Sequence, residues 1–247
     1  MKKLLIVLAL ASSLFSAELT IASPDGFKLY GWLEKPKNAK KATPIILFAH
    51  QFGADHAMWN SIAKEFNDKG FATLSVDLRG HGKSISQNDK ENKVVTDARM
   101  DHIKEALVQS DKKVGFANIP QDLRAWLELV GEDDSIDMEN LYLFGSSLGG
   151  GCVIPLLSDY DVKALVTLSA GGLQALADDT EIALSTSMTK ELFIAAKNDP
   201  LGAAKRSLDY TQKSISGTAL IISGNGHGGV LLPQVKHFIF SFIANVK

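Results

Sequence analysis

The sequence of 247 residues contains very little cysteine, little proline and no large excess of charge of either sign. Its single cysteine, Cys152, excludes an internal disulfide and a cysteine-rich zinc site. Seven prolines and an apolar fraction of 45% argue against a collagenous or mostly disordered chain. The sequence has 26 basic and 28 acidic side chains, for a formal net charge of −2. Because this balance gives no strongly basic surface, we expect no nucleic-acid partner.

The chain also lacks, after its first residues, any apolar run near the ~20 residues that span a bilayer. The N-terminus has the pattern of a secretory signal peptide, since Lys2 and Lys3 precede the apolar residues 4–10 and small residues follow. We predict a signal peptide at residues 1–17, with a first β-strand or a membrane anchor as alternatives. The expected product is an exported protein, periplasmic or secreted, with no stable membrane insertion.

Short continuous apolar runs recur along the rest of the chain. Runs without polar alternation are typical of strands buried on both faces, as in a parallel sheet. They lie at residues 45–49, 73–76, 141–144, 164–168, 192–195 and 219–222. Two earlier stretches, 19–22 and 28–33, flank Pro24-Asp25-Gly26 and predict an antiparallel hairpin on the sheet edge.

Helical patterns separate these runs. Apolar stripes with helical spacing predict helices at residues 59–66, 119–130 and 235–243. Strands that alternate with helices predict a doubly wound, mostly parallel α/β sheet with helices on both faces, in one domain covering residues 18–247. Two stretches do not fit this alternation: residues 84–118, with a helix around 97–110, and the connection 173–189.

The sharpest motif is Gly145-Ser146-Ser147-Leu148-Gly149, which directly follows one predicted strand and matches G-x-S-x-G. A serine on a tight strand-to-helix turn exposes its hydroxyl, and the two glycines let neighbouring backbone approach. Such a turn aims the Ser147 hydroxyl and the Leu148 N–H group at one point beside a helix N-terminus. Ser147 is therefore a candidate nucleophile, and the alternative is a glycine-rich turn without chemistry.

A nucleophilic serine needs a base, and the base needs an orienting acid. Two histidines follow Ser147 in the sequence. We predict that His227, just past the strand at 219–222, is the base, and that His237 lies in the last helix.

For the acid we favour Asp199, which follows the strand at 192–195, where the carboxyl edge of a parallel sheet forms sites. Asp178, Asp179 and Glu181 lie in the connection 173–189, with no strand end to fix them. The loop after the strand at 45–49 supplies Phe52, whose N–H group is a candidate oxyanion donor.

With these motifs in order, the chain resembles the α/β-hydrolase superfamily, in its compact, dienelactone-hydrolase- and esterase-like branch. The resemblance extends from about Lys28 to the C-terminus and rests on His50-Gln51-Phe52-Gly53, Asp77-Leu78-Arg79-Gly80-His81-Gly82-Lys83-Ser84, the serine turn, Asn198-Asp199-Pro200 and Gly226-His227-Gly228. It implies a nucleophile, acid and base at Ser147, Asp199 and His227, and oxyanion donors at Leu148 and Phe52. It implies no organic cofactor and no metal.

The same resemblance implies structural roles for Asp77, Arg79 and His81, in a turn after the fourth core strand, and for His50, which supports its own loop. One departure is Gln51, because the family commonly has glycine after this histidine. The Gln51 side chain is a candidate donor to the pocket.

The function that follows is a serine hydrolase that cleaves an ester-like bond of a small molecule through an acyl-enzyme. The connection 173–189 is too short for the large helical cap that this superfamily often places over the site. A small or absent cap favours an open site, although residues 84–118 are placed to cover part of it. An exported peptidase or thioesterase with the same triad, and a non-catalytic binding protein on a hydrolase scaffold, are the open alternatives. A metal site of His50, His56 and His81 is not favoured, because their spacing matches no ligand motif.

Overall fold

A computed structural model describes residues 16–37, 39, 42–95 and 102–246. The predicted signal peptide lies almost wholly outside these residues, as does the start of the helix predicted around 97–110. Within the described ranges, no helix is both long enough and apolar enough to cross a bilayer.

One sheet runs through the molecule, and most of its strands are parallel. The described strands are β1 (Ser16–Ala22), β2 (Phe27–Glu34), β3 (Thr43–Ala49), β4 (Ala72–Asp77), β5 (Ser86–Gln87), β6 (Lys90–Glu91), β7 (Ile136–Ser146), β8 (Val162–Leu168), β9 (Lys190–Ala196) and β10 (Gly217–Ile222). Their order is β10-β9-β8-β7-β3-β4-β2-β5-β6, with β1 paired to β2. The six strands from β10 to β4 are parallel, and β1 and β2 form the predicted antiparallel hairpin at the edge.

Helices connect the strands. They are α1 (Asn60–Asp68), α2 (Ile103–Val114), α3 (Ile119–Gly131), α4 (Ser147–Val153), α5 (Ala177–Thr186), α6 (Ala203–Lys213) and α7 (Leu232–Ala244). The three predicted apolar stripes correspond to α1, α3 and α7, and each helix buries most of its stripe against the sheet. The exception is Phe238 of α7, which is exposed. The described part of the helix expected around 97–110 is α2, which ends later than predicted, at Val114.

Both faces of the sheet are covered, because successive side chains of a buried strand point to opposite faces. On one face, α1 and α7 pack against a cluster that includes Phe48, Phe144 and Ile194. On the other face, α3, α4 and α5 pack against a cluster that includes Leu47 and Leu143. The predicted doubly wound α/β architecture with helices on both faces is confirmed.

The prediction that residues 173–189 break the strand–helix alternation was wrong. These residues form α5, which crosses from β8 to the parallel neighbour β9 in the way that parallel strands require. The helix was missed because its buried side chains, Thr180, Ala183 and Leu184, are small or few and give a weak apolar pattern.

The turn after β4 is organised around Arg79, whose side chain is only 1% exposed. Its guanidinium donates to both carboxylate oxygens of Asp122 on α3, at 2.7 and 2.8 Å. It also donates to Asp25 in the β1–β2 turn and to the Val114 carbonyl at the end of α2. This is the structural role that the family resemblance implies, and it fixes α2 beside the carboxyl edge of the sheet.

Candidate active site

The turn between β7 and α4 is tightly packed and strained. Ser147 has a φ of 45°, in the left-handed region that non-glycine residues rarely adopt. A Cβ atom at Gly149 would lie 2.4 Å from the Ala49 carbonyl oxygen, and one at Gly145 would lie 2.5 Å from the Gly150 Cα. Only glycine fits at both positions, so the motif spacing follows from how closely the backbone of α4 approaches β3 and β7.

The structure brings Ser147, His227 and Asp199 into one hydrogen-bonded chain. The His227 Nε2 atom lies 2.7 Å from the Ser147 Oγ atom, and the His227 Nδ1 atom lies 2.8 Å from the Asp199 Oδ2 atom. The three residues come from loops at the carboxyl ends of β7, β10 and β9, which is where parallel sheets form sites.

The alternative candidates for the base and the acid lie away from Ser147. His237 is exposed on α7, where its ring packs against that of Phe238. Asp178, Asp179 and Glu181 are exposed on α5, and Glu181 pairs with Lys213.

Asp199 is buried and surrounded by donors. Its Oδ2 atom also accepts the Ser169 hydroxyl at 2.7 Å, and its Oδ1 atom accepts the Leu201 N–H group at 2.8 Å. Burial raises the pKa of this carboxyl group, but the hydrogen bonds from His227 and Ser169 outweigh it and hold the pKa below its ordinary value. An ionised Asp199 can only accept from His227, so the His227 Nδ1 atom carries the proton and Nε2 accepts from Ser147.

Ser169 was missed by sequence reasoning. It directly follows β8, at the same carboxyl edge as the other site residues, and that position was the available signal. Its φ of 50° places it, like Ser147, in the left-handed region. The strained turn aims its hydroxyl at Asp199, away from the strand.

Gln51, the departure from the family pattern, links two loops of the site. Its Oε1 atom accepts the Ser146 hydroxyl at 3.1 Å and the Gly229 N–H group at 2.8 Å. The sequence predicts a side-chain donor to the pocket. In the structure, the side-chain oxygen of Gln51, Oε1, acts as an acceptor within the protein. The contact ties the loop after β3 to the segment that carries His227.

The loop proposed to supply Phe52 is held by His50. The His50 Nε2 atom accepts the Leu78 N–H group at 3.0 Å, and the Nδ1 atom lies 2.7 Å from the Gln51 carbonyl oxygen. Burial, with the nearby His81, holds the pKa of His50 well below its ordinary value, so the ring is neutral. The His50 carbonyl also accepts from Gly149, which brings this loop against the first turn of α4, beside Leu148.

His81 is likewise a structural residue. Its Nδ1 atom lies 3.0 Å from the Arg79 carbonyl oxygen, and burial lowers its pKa to about 4. Its ring packs edge-on against that of Phe52, with 5.6 Å between the ring centroids. A histidine with this pKa is uncharged at neutral pH and supports the loop of Phe52 through packing.

A cavity of about 220 Å³ opens beside Ser147 and His227. The other described residues that line it are Lys104, Leu107, Leu148, Gly171, Gly172, Leu173, Leu201 and Arg206. Two of them, Lys104 and Leu107, belong to α2, so the segment 84–118 does reach the site, as the sequence suggested.

A second histidine–aspartate pair lies on β4 and the loop before α1. The His56 Nδ1 atom lies 2.8 Å from the Asp77 Oδ1 atom, and the His56 ring stacks on Trp32 with 3.3 Å between centroids. Ligand atoms of Asp55, His56 and Asp77 lie within 4.8 Å of one another, the arrangement nearest to a metal site in the described ranges. Asp77 already accepts from the His56 and Lys83 N–H groups, and Asp55 from Ala57, so these contacts describe a turn.

Comparison with known proteins agrees with this fold. A family profile described as the alpha/beta hydrolase fold matches residues 44–202, from β3 to the segment after Asp199. Two curated relatives, each named "Uncharacterized 31.7 kDa protein in traX-finO intergenic region" from Escherichia coli, are 29% identical over 126 residues. That match covers 50% of this chain and only 36% of each relative.

Several solved structures share the fold at low sequence identity. Est1E from Butyrivibrio proteoclasticus, with ferulic acid bound, has a TM-score of 0.65 at 19% identity and covers 90% of this chain and 98% of its own. A carboxyl esterase from Bacillus coagulans has a TM-score of 0.67 at 14% identity, and the match covers 95% of this chain and 99% of the esterase. Acetyl xylan esterase 1 from Thermoanaerobacterium has a TM-score of 0.70 at 14% identity, and the match covers 99% of this chain and 88% of that esterase. With the strained serine turn, the sheet order and the family profile in agreement, the chain belongs to the alpha/beta hydrolase fold family.

Proposed function

We propose that this hydrolase cleaves carboxylic ester bonds of small molecules, with Ser147 as nucleophile, His227 as base and Asp199 as orienting acid. The observation that carries the proposal is the continuous chain of hydrogen bonds from Ser147 through His227 to Asp199, beside an open cavity. Esterases among the structures with the same fold support an ester as the substrate class.

The proposed reaction uses each of these residues in turn. His227 Nε2 takes the Ser147 hydroxyl proton as the serine oxygen attacks the ester carbonyl carbon. The N–H groups of Leu148 and Phe52 hold the oxyanion, and the alcohol leaves with the proton returned by His227. Water, deprotonated by His227, then releases the acid from Ser147. Asp199 orients the imidazole throughout and stabilises its charged form.

The test is covalent labelling of Ser147 by a fluorophosphonate, followed by intact mass and peptide mapping. We expect one label, located on Ser147, and its loss in both Ser147→Ala and His227→Ala. Hydrolysis of 4-nitrophenyl acetate should fall by about a million-fold in kcat for either variant.

The matched control is His56→Ala, which removes the histidine of the other histidine–aspartate pair and leaves Ser147 untouched. This variant should label normally. A folded wild-type protein without any label would contradict the mechanism and favour the non-catalytic binding protein. A label on Ser147 with turnover of thioesters or peptides only would move the assignment to a thioesterase or peptidase.

We also propose that the protein is exported and cleaved near Ala17. The basic and apolar pattern of residues 1–17 supports this, and β1 keeps its pairing with β2 from Glu18 onward after such a cut. The measurement is the N-terminal sequence of the protein recovered from fractionated cells. Recovery of the uncleaved chain in the cytoplasm would contradict export.

A further inference from the structure

One wall of the cavity beside Ser147 carries a half-buried guanidinium. Arg206, on α6, donates through Nε to the Ala170 carbonyl oxygen at 2.7 Å and through Nη2 to the Leu201 carbonyl oxygen at 3.2 Å. These contacts hold the side chain between the loops after β8 and β9. Its remaining N–H donors have no acceptor among the described residues, and no described carboxylate forms an ion pair with it.

A second cation lies on the same cavity. Lys104, in the first turn of α2, is exposed and also lines the cavity, on a different helix from Arg206. Among the described residues that line the cavity there is no Asp or Glu. Asp199, the nearby acid, is committed to His227 and Ser169. The cavity therefore carries positive charge that the described part of the protein leaves without a counter-charge.

Such an arrangement favours an anionic ligand. A partly buried guanidinium without an anion loses hydration without regaining an ion pair, and a carboxylate in the cavity supplies the missing partner. The guanidinium presents its N–H groups in a rigid plane that matches carboxylate geometry. Leu107, Leu173 and Leu201 supply apolar walls for the carbon skeleton of a small ligand.

We propose that this site selects esters that carry a carboxylate, with Arg206 as the specificity-determining cation and Lys104 as a weaker, solvent-screened one. The inference rests on the proposed hydrolase function and names its substrate class. The reaction is unchanged: water is added, the ester C–O bond breaks, and the carboxylate stays on either the acid or the alcohol product.

The experiment compares matched ester pairs in which a carboxylate is replaced by a neutral amide of the same shape. Methyl hydrogen glutarate against methyl glutaramate places the charge on the acyl side. The pair 4-acetoxybenzoate and 4-acetoxybenzamide places it on the alcohol side. We expect the wild-type protein to prefer the carboxylate in kcat/KM by about tenfold in at least one pair, the scale of a charged hydrogen bond.

Variants locate the preference. Arg206→Gln should abolish the preference, whereas Arg206→Lys should retain part of it. Lys104→Gln should lower it by about twofold, and less at high salt, because exposed charges are screened. Lys205→Gln, which removes an exposed charge one residue away on the same helix, is the matched control and should leave the preference unchanged.

The ratio between the two esters is the readout, because Arg206 also holds the Ala170 and Leu201 carbonyls and its loss can slow both esters equally. An equal fall for both members of a pair would overturn the charge role and leave Arg206 as a loop support. Equal wild-type rates for carboxylate and amide in both pairs would overturn it too.

A binding measurement separates this proposal from the hydrolase function. Glutarate should slow fluorophosphonate labelling of Ser147 about tenfold more strongly than the uncharged diamide glutaramide does at equal concentration. Normal labelling with equal protection would refute the charge proposal and leave the hydrolase standing. If Ser147 does not label, the hydrolase function fails, and tighter calorimetric binding of glutarate than of uncharged glutaramide, lost in Arg206→Gln, decides the charge proposal by itself.

Discussion

A buried carboxyl group lies at each end of strand β9. Asp199, after the carboxyl end, accepts hydrogen bonds from His227, Ser169 and Leu201, and its pKa lies below the ordinary value. Glu191, near the amino end, is fully buried, and neither of its oxygens has a hydrogen-bond partner in the described ranges. Burial raises the pKa of Glu191 to about 7, and the nearby Ser214 hydroxyl offsets only part of that rise.

The difference shows what a buried anion needs. Burial alone drives a carboxyl group towards its neutral form, and only a set of donors keeps it charged. In a parallel sheet, loops from several strands converge at the carboxyl edge, so donors from distant parts of the chain meet there. At the amino end of β9, the described residues supply no hydrogen-bond donor to either oxygen of Glu191, and the candidate chemistry lies at the carboxyl end.

After Ser147→Ala and His227→Ala, the largest effect is expected from Asp199→Asn. The amide group presents a donor to His227 and favours the tautomer in which Nε2 carries the proton, so the ring cannot accept from Ser147. We expect kcat for a neutral ester to fall by about 10⁴-fold. Steady-state kinetics on the purified variant measure this. A fall of less than tenfold would mean that Asp199 does not orient the base.

At the other end of β9, Glu191→Gln should change stability and leave kcat unaltered. The folded pKa of about 7 lies above the ordinary value of 4.5, so the folded protein loses stability as the pH rises between these values. Glutamine stays neutral, so the variant should be more stable than the wild type by roughly 3 kcal/mol at pH 8 and equal to it at pH 4. Urea unfolding at both pH values provides the measurement. If the unfolding free energies of the variant and the wild type changed with pH in parallel, Glu191 would have an ordinary pKa in the folded protein.

Asp77→Asn sharpens the comparison, because Asp77 also ends a parallel strand and also contacts a histidine. Its oxygens accept from the His56 and Lys83 N–H groups, which an amide satisfies only in part. We expect unfolding free energy to fall by about 1–3 kcal/mol, with kcat within roughly threefold of wild type, as for residues away from the reacting atoms. A loss of activity comparable to that of Asp199→Asn would blur the distinction between the two histidine–aspartate pairs.

A much smaller effect than that of Asp199→Asn is expected from Ser169→Ala, which removes one of the donors to Asp199. The pKa of Asp199 should rise towards its ordinary value, and kcat should fall by roughly tenfold, the scale of one hydrogen bond to a charged group. Because the folded pKa is lowered, Asp199 contributes stability that is lost as the pH falls through that value, so the variant should unfold at a higher pH in acid titration. Ser169→Thr, which keeps the hydroxyl, serves as the comparison. An unchanged acid midpoint in Ser169→Ala would contradict the assigned hydrogen bond.

Much of the candidate site was predictable because its residues follow predicted strands directly. Ser147 follows β7, and Asp199 and His227 lie in the loops after β9 and β10, so local patterns were sufficient to place them at one edge. The contact between Gln51 and Gly229 could not be predicted from the sequence, since the two residues lie 178 positions apart. Ser169 belongs to no recognisable motif. Nothing in the sequence of α6 indicates which cavity Arg206 lines.

By itself the sequence determined most of the strand and helix alternation, the serine turn, and the chain order of the candidate residues Ser147, Asp199 and His227, since these depend on short apolar periods and on residues adjacent in the chain. The signal peptide and the single-domain organisation stay predictions. Only the tertiary structure decided that α5 completes the alternation, that Ser169 and Gln51 brace the site, and that Arg206 and Lys104 face the cavity. Those facts depend on which loops meet across the sheet edge, and contacts between distant segments leave no periodic trace in the sequence.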